Sequence, residues 1–108
     1  MARIATRLHG PALVSNTAAT KFTVAANEKN IVRHIHVSNP TVSAVAFTAS
    51  IGTDAAGTRI FDALSIPAAS VFDHFGLYVL EETEIFQAFA GTNNVLTLTI
   101  DGERSVLS

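Results

Sequence analysis

Val95-Leu96-Thr97-Leu98-Thr99-Ile100 is the stretch whose reading decides the fold. Leu96, Leu98 and Ile100 recur at every second position, with Thr97 and Thr99 between them. Side chains of a β-strand point alternately to opposite faces, so this is a strand with one apolar face and one hydroxyl face. From Ile85 to Ile100 there is no Asp, Glu, Lys or Arg, and the same holds from His34 to Thr53 and from Leu8 to Thr20. A half-buried strand ordinarily carries polar and charged residues on its solvated face. Here those faces carry Ala, Ser and Thr. The expectation is that neighbours in an assembly cover much of this surface.

Period-two patterning continues on either side. Phe22 and Val24 alternate with Lys21 and Thr23 before a turn at Ala26-Asn27-Glu28. Ile31, Arg33, Ile35 and Val37 fall on one face, and Val32, His34, His36 and Ser38 on the other. Asn39-Pro40 ends that strand, because proline offers no ladder donor and restricts the residue before it. Val45, Phe47, Ala49 and Ile51 share a face opposite Ala44, Ala46, Thr48 and Ser50. Gly52 to Thr58 is a loop, and Arg59 to Ile66 a returning strand. Short strands follow at Val71 to Phe75 and Leu77 to Leu80. The acidic corner Glu81-Glu82-Thr83-Glu84 leads into Ile85 to Ala90, read as a strand in preference to a helix because Gly91 cuts it short. Asp101-Gly102 predicts a hairpin or a bulge before Ser105-Val106-Leu107. About eight short strands at this spacing suit a sandwich or barrel.

The chain has 108 residues, enough for one domain with one core. Charged residues make up 15%, against roughly 25% in an average soluble domain. Net charge is −2 and the seven Lys and Arg are scattered, so no basic surface is available for a phosphate backbone or an anionic membrane. With no cysteine, disulfides, zinc–thiolate sites and thiol nucleophiles are excluded. No run reaches the roughly 18 apolar residues of a membrane span, and Met1 to His9 lacks the apolar core of a signal peptide. The expectation is synthesis in the cytoplasm without export by a cleaved signal.

His34-Ile35-His36 is the most suggestive motif for chemistry. Two histidines at i and i+2 on a strand point the same way and could share a metal. Cupin barrels use such a pair with a glutamate a few residues later, yet here no carboxylate follows before Asp54. The favoured reading is two histidines on a solvent-facing or subunit-facing strand, with no metal or other cofactor. Asp73 and His74 are adjacent, so on a strand they point to opposite faces and do not form a relay. There is no Gly-x-Ser-x-Gly elbow. Glu81, Glu82 and Glu84 read as a solvated corner in preference to a calcium site, and Asp54 as a turn residue. Phe47, Phe61, Phe72, Phe75, Phe86 and Phe89 read as core. The absence of Trp and the single Tyr78 argue against a sugar-stacking platform. Arg33, in phase with Ile31 and Ile35, either pairs with Asp62 or Asp73 or snorkels outward from an edge strand, the second being favoured.

Several stretches in order resemble a group of small all-β structural proteins of tailed bacteriophages, often of actinobacterial hosts. They are Phe22-Thr23-Val24-Ala25-Ala26-Asn27 leading to Ile31-Val32-Arg33-His34-Ile35, and Val42 to Gly52. Arg59-Ile60-Phe61-Asp62-Ala63, Leu77-Tyr78-Val79-Leu80-Glu81 and Gln87-Ala88-Phe89-Ala90-Gly91-Thr92 follow. The resemblance spans Phe22 to Gly102. The chain departs from the group's pattern with Phe22 in place of Tyr and Ala25 where Pro is usual. What the resemblance implies is a virion component, as a head decoration, head–tail joining or tail protein, and it transfers no catalytic residue.

Together these readings predict an all-β protein with a single antiparallel β-sandwich, jelly-roll-like or immunoglobulin-like. Residues 1–20 would be an N-terminal arm or edge strand and 21–108 the sandwich domain. The expected function is non-enzymatic: a bacteriophage capsid decoration or tail protein in symmetric copies, located in the virion and contacting its major capsid or tail proteins. Interface candidates are Ala44, Ala46, Thr48 and Ser50 with Arg3, Ile4, Leu8 and Leu13. The alternatives are a stand-alone ligand- or glycan-binding sandwich and a cupin-like metal enzyme using His34 and His36.

Overall fold

The strand bearing Leu98 and Ile100 sits inside a four-stranded sheet. A computed structural model describes residues 2–106, and the expected strand position Leu107 lies outside the described residues. The elements are β1 (Ala2–Leu13), β2 (Ala19–Thr23), β3 (Glu28–Asn39), β4 (Val45–Ile51), β5 (Arg59–Ile66), β6 (Ser70–Leu80), β7 (Ile85–Ala90) and β8 (Thr97–Val106). They form two antiparallel sheets, ordered β1-β8-β3-β6 and β2-β7-β4-β5. The pairing is nested: β1 with β8, β2 with β7, β3 with β6 and β4 with β5. A long hairpin rolled on itself in this way is the eight-stranded double-sheet jelly roll. The fold class expected from the alternation is therefore the fold observed, with the jelly-roll form of it adopted.

The inner faces interdigitate. Val32, Ile35 and Val37 of β3, Leu80 of β6 and Leu98 and Ile100 of β8 come from one sheet. Phe47 and Ala49 of β4, Ile66 of β5, and Phe86, Ala88 and Ala90 of β7 come from the other. Phe22 stacks on Phe86 with ring centroids 5.5 Å apart, closing the core beside β2. Along β7 and β8 the burial alternates as Phe86, Ala88, Ala90 and Leu98, Ile100 require. Each large buried side chain contributes about 1.5–3 kcal/mol of apolar burial, so these faces drive the association of the sheets.

Local geometry departs from the simple alternation at four places. In β3, Ile35 and Val37 face the core as expected, but Val32 and Asn30 are buried in place of Ile31, and Arg33 is exposed. The register shifts between Val32 and His34 against both neighbours, and an extra residue in one strand moves what precedes it to the other face. β3 is also an inner strand, so Arg33 does not lie on an edge. It reaches Glu103 at 3.2 Å, and neither Asp62 nor Asp73 is its partner. Of the two readings of Asp101-Gly102 the hairpin does not form, since β8 continues to Val106, while the register shifts of β3 and β1 fall opposite this pair, as the bulge reading requires. Val71 to Phe75 and Leu77 to Leu80 are one strand, β6, at the edge of its sheet. Finally Phe75, expected in the core, is 73% exposed.

Candidate functional site

Ile35 and Val37 point into the core, so His34 and His36 emerge on the outer face of the β1-β8-β3-β6 sheet. The register sets His36 directly opposite Asp73 of β6 and His34 opposite Asp101 of β8. Asp73 Oδ1 lies 2.8 Å from His34 Nε2 and 2.5 Å from His36 Nδ1. Asp101 Oδ2 approaches His34 Nδ1 at 3.8 Å from the other side. The hydrogen bonds from His36 and then His34 hold the Asp73 carboxyl below the usual carboxylate range. The Phe75 ring lies flat on His34, with centroids 4.4 Å apart and planes 2° from parallel. One edge of the sheet thus carries a carboxylate bracketed by two imidazoles, the commonest transition-metal ligands.

The same edge carries an apolar row. Val71, Phe75, Leu77 and Val79 of β6 are 57%, 73%, 59% and 47% exposed. They share the outward face with Asp73, while Phe72, His74, Tyr78 and Leu80 turn inward. His74 accordingly meets Tyr78 Oη at 2.9 Å and packs edge-on against Phe61, well separated in role from Asp73. On the opposite edge of the sheet, β1 exposes Arg3, Ile4 and Leu13, while Leu8 packs against the core.

The other interface candidates divide. Ala44 is exposed and Ala46 half-buried. Thr48 and Ser50 are buried within the chain itself. Thr48 Oγ1 accepts the Ala63 N–H, and Ser50 Oγ donates to Asp54. The loop after β4 folds back over this face: the Asp54 N–H reaches Gln87 of β7, and Arg59 pairs with Asp54 at 3.0 Å and lies over the Phe89 ring. The lack of charge on Thr48 and Ser50 is therefore answered by intramolecular cover.

The remaining acidic residues of the Glu81 corner serve turns. Glu82 accepts the Asn27 N–H, Glu84 accepts the Glu81 N–H, and Glu81 pairs with Lys29. A shallow open depression of about 680 Å³ at one end of the sandwich is lined by Ser38, Asn39, Pro40, Ala69, Ser70 and Val71, none of them titratable. Sequence reasoning finds His34 and His36 but not Asp73 as their partner. That pairing depends on the β3–β6 register, which no local pattern encodes.

No family model matches the chain, and no curated protein matches it. Among solved structures it is similar to a chain of Bacillus endospore appendages, described as a novel family of disulfide-linked pili. The alignment has 11% identity and a TM-score of 0.57, covering 98% of this chain and 89% of that one. At that identity the likeness shows a shared fold, and this chain has no cysteine with which to form such links. A chain of infectious bursal disease virus, Gx strain, aligns at 9% identity and a TM-score of 0.47 over 97% of this chain. This chain spans about a third of that viral one, at 32%.

Proposed function

We propose that this chain is a non-enzymatic structural subunit that assembles with copies of itself through the outer face of the β1-β8-β3-β6 sheet. The observation that carries this reading is the row Val71, Phe75, Leu77 and Val79 on the edge strand β6. An edge strand presents unpaired backbone groups, and folded proteins ordinarily blunt it with lysine, proline or a covering segment. β6 contains neither lysine nor proline and is 11 residues long; its charged Asp73 is tied to His34 and His36, and its register shift after Phe75 leaves the apolar row exposed. An exposed apolar row on such an edge marks an association surface. Burying about 400 Å² there would supply roughly 10 kcal/mol gross, comparable to the roughly 4–15 kcal/mol cost of association. One such contact is weak, so a stable assembly draws on several per subunit. Ile4 and Leu13 on the opposite edge offer a second contact.

Within that role, the reading we favour is a virion protein of a tailed bacteriophage, either a capsid decoration or a tail or head–tail component. Its partners would be the major capsid or tail proteins of the same particle, with no direct contact to nucleic acid or membrane. The sequence resemblance from Phe22 to Gly102 supports this, and jelly rolls are a recurrent capsid architecture.

Light scattering and sedimentation velocity test the assembly. The wild-type chain is expected to form oligomers or to bind phage particles on co-sedimentation. A Phe75→Asp, Leu77→Asp double variant should retain the β-sheet circular dichroism and lose both properties. A wild-type chain that stays monomeric at all concentrations and ignores particles would overturn the reading.

A further inference from the structure

We propose that His34, His36 and Asp73 form a binding site for one divalent transition-metal ion, with zinc the best match. The site is built by the sheet. Strand periodicity puts both imidazoles on one face, and the β3–β6 register sets the carboxylate against them. One donor atom from each residue lies within 4.8 Å of the others. Zinc sits about 2.0–2.2 Å from nitrogen and oxygen donors, which places tetrahedral donors about 3.3 Å apart. The present separations of 2.8 and 2.5 Å are those of shared protons. Entry of an ion displaces those protons to the outer ring nitrogens, widens each oxygen–nitrogen separation by under about 1 Å and draws the two imidazole nitrogens, which lie within 4.8 Å of each other, toward that spacing by side-chain rotation.

The donor set selects the ion. Two nitrogens and one carboxylate suit zinc and its late first-row neighbours, whereas calcium and magnesium take oxygen ligands. The surroundings fit a metal site as well. Metal-bound histidines characteristically present their other ring nitrogen to a carboxylate or carbonyl that fixes the ring. His34 Nδ1 faces Asp101 Oδ2 at 3.8 Å, within a small movement of that contact. Phe75 stacked on His34 fixes the plane of the ring. The side chains of His34, His36 and Asp73 are 25%, 35% and 38% exposed, so the fourth coordination position opens outward. Water fills it in an isolated chain. That position faces the same side of the sheet as the apolar row of β6, although the metal site does not depend on assembly.

The test is calorimetric titration of the tag-free, chelator-treated chain with zinc chloride in a non-coordinating buffer, with imidazole resonances followed by NMR. The expected result is saturable uptake of one zinc per chain, shifting the His34 and His36 signals and leaving His74 in place. His36→Ala and Asp73→Ala should abolish it while keeping the wild-type circular dichroism. Asp101→Asn should weaken it about 10- to 100-fold, the usual effect of losing an outer carboxylate. Calcium chloride should give no binding. Absence of saturable zinc binding to the wild-type chain would overturn the proposal, as would undiminished one-to-one uptake by folded His36→Ala.

Discussion

Asp73 and His36 are direct partners across the β3–β6 ladder, with Asp73 Oδ1 2.5 Å from His36 Nδ1. The same oxygen meets His34 Nε2, so one carboxylate on an edge strand is tied to two side chains of the strand beside it. Among the described residues β6 pairs with β3 alone, and these side-chain bonds help to hold its middle.

Asp73→Ala is therefore expected to loosen β6 locally without unfolding the core. In metal-free buffer, amide hydrogen exchange should accelerate from Phe72 to Phe75 and stay unchanged from Leu98 to Ile100 in β8. Edge segments open at lower free energy than central ones, so the two regions report separately. Equal acceleration in both would show that the carboxylate supports the whole sandwich.

Gly102 separates space from propensity. A Cβ at this position would lie 1.9 Å from the Ile31 carbonyl oxygen, a backbone atom that cannot swing away. Gly102→Ala should cost about 3–5 kcal/mol, at the upper end for a point substitution. Gly57 lies in the loop before β5, and a Cβ there would meet nothing within 4 Å. Gly57→Ala should fall within about 0.5 kcal/mol of wild type. Urea unfolding midpoints measure both.

The difference between these glycines also shows what a sequence carries. The alternation Leu96-Thr97-Leu98-Thr99-Ile100 is legible because burial in a strand is a local, period-two property. Asn39-Pro40 and Gly91 punctuate strands for equally local reasons. The jelly-roll order is not local, since Glu28 of β3 pairs with Val106 at the far end of the chain. The extra residue at Arg33 is hidden for the same reason. It is accommodated where Gly102 of β8 lets the Ile31 carbonyl come close, and neither stretch reveals the other. Phe75 reads as core by residue type, yet its place on an outward-facing edge follows from the register. The histidine pair is visible at i and i+2, whereas Asp73 becomes its partner only through β3–β6 pairing.

Asn39 is a polar residue that the core requires. Its side chain is buried, and Nδ2 donates to the carbonyls of Ser43, Ile66 and Pro67. Its Oδ1 accepts from the Thr41 N–H and hydroxyl. One amide thereby fixes the exit of β3, the loop before β4 and the end of β5. Removing it orphans the buried Ile66 carbonyl, at about 1–3 kcal/mol for such a group, and loses the part-buried contacts to Ser43 and Pro67, so Asn39→Ala should lose about 2–3 kcal/mol. Asn39→Asp should be worse at neutral pH, because its oxygens cannot donate to those carbonyls and its charge opposes them. Thermal unfolding of the two variants side by side gives the ordering.

Acid sensitivity should come in two separate windows. Burial holds the His9 imidazole below its ordinary value of 6.5, with the neighbouring Lys21 charge acting in the same direction against the Lys21 carbonyl contact. His9 Nε2 is buried without a partner, so a proton added there would find no acceptor. The unfolded chain takes up that proton first, so stability is full above about pH 6.5 and falls as pH drops toward the lowered folded value. His9→Gln should flatten this part of the profile. Asp54 behaves in the opposite chemical sense with the same outcome on acidification. Its carboxyl is held below 3.8 by hydrogen bonds from Arg59 and then Ser50. The stability it contributes is present above its unfolded value and is lost as pH falls through the folded one. Asp54→Asn should therefore be less stable than wild type at pH 7, and the gap should close below about pH 4. Urea midpoints of the three proteins from pH 3 to pH 8 resolve the windows, and a constant gap between Asp54→Asn and wild type would refute the ionic account of the loop.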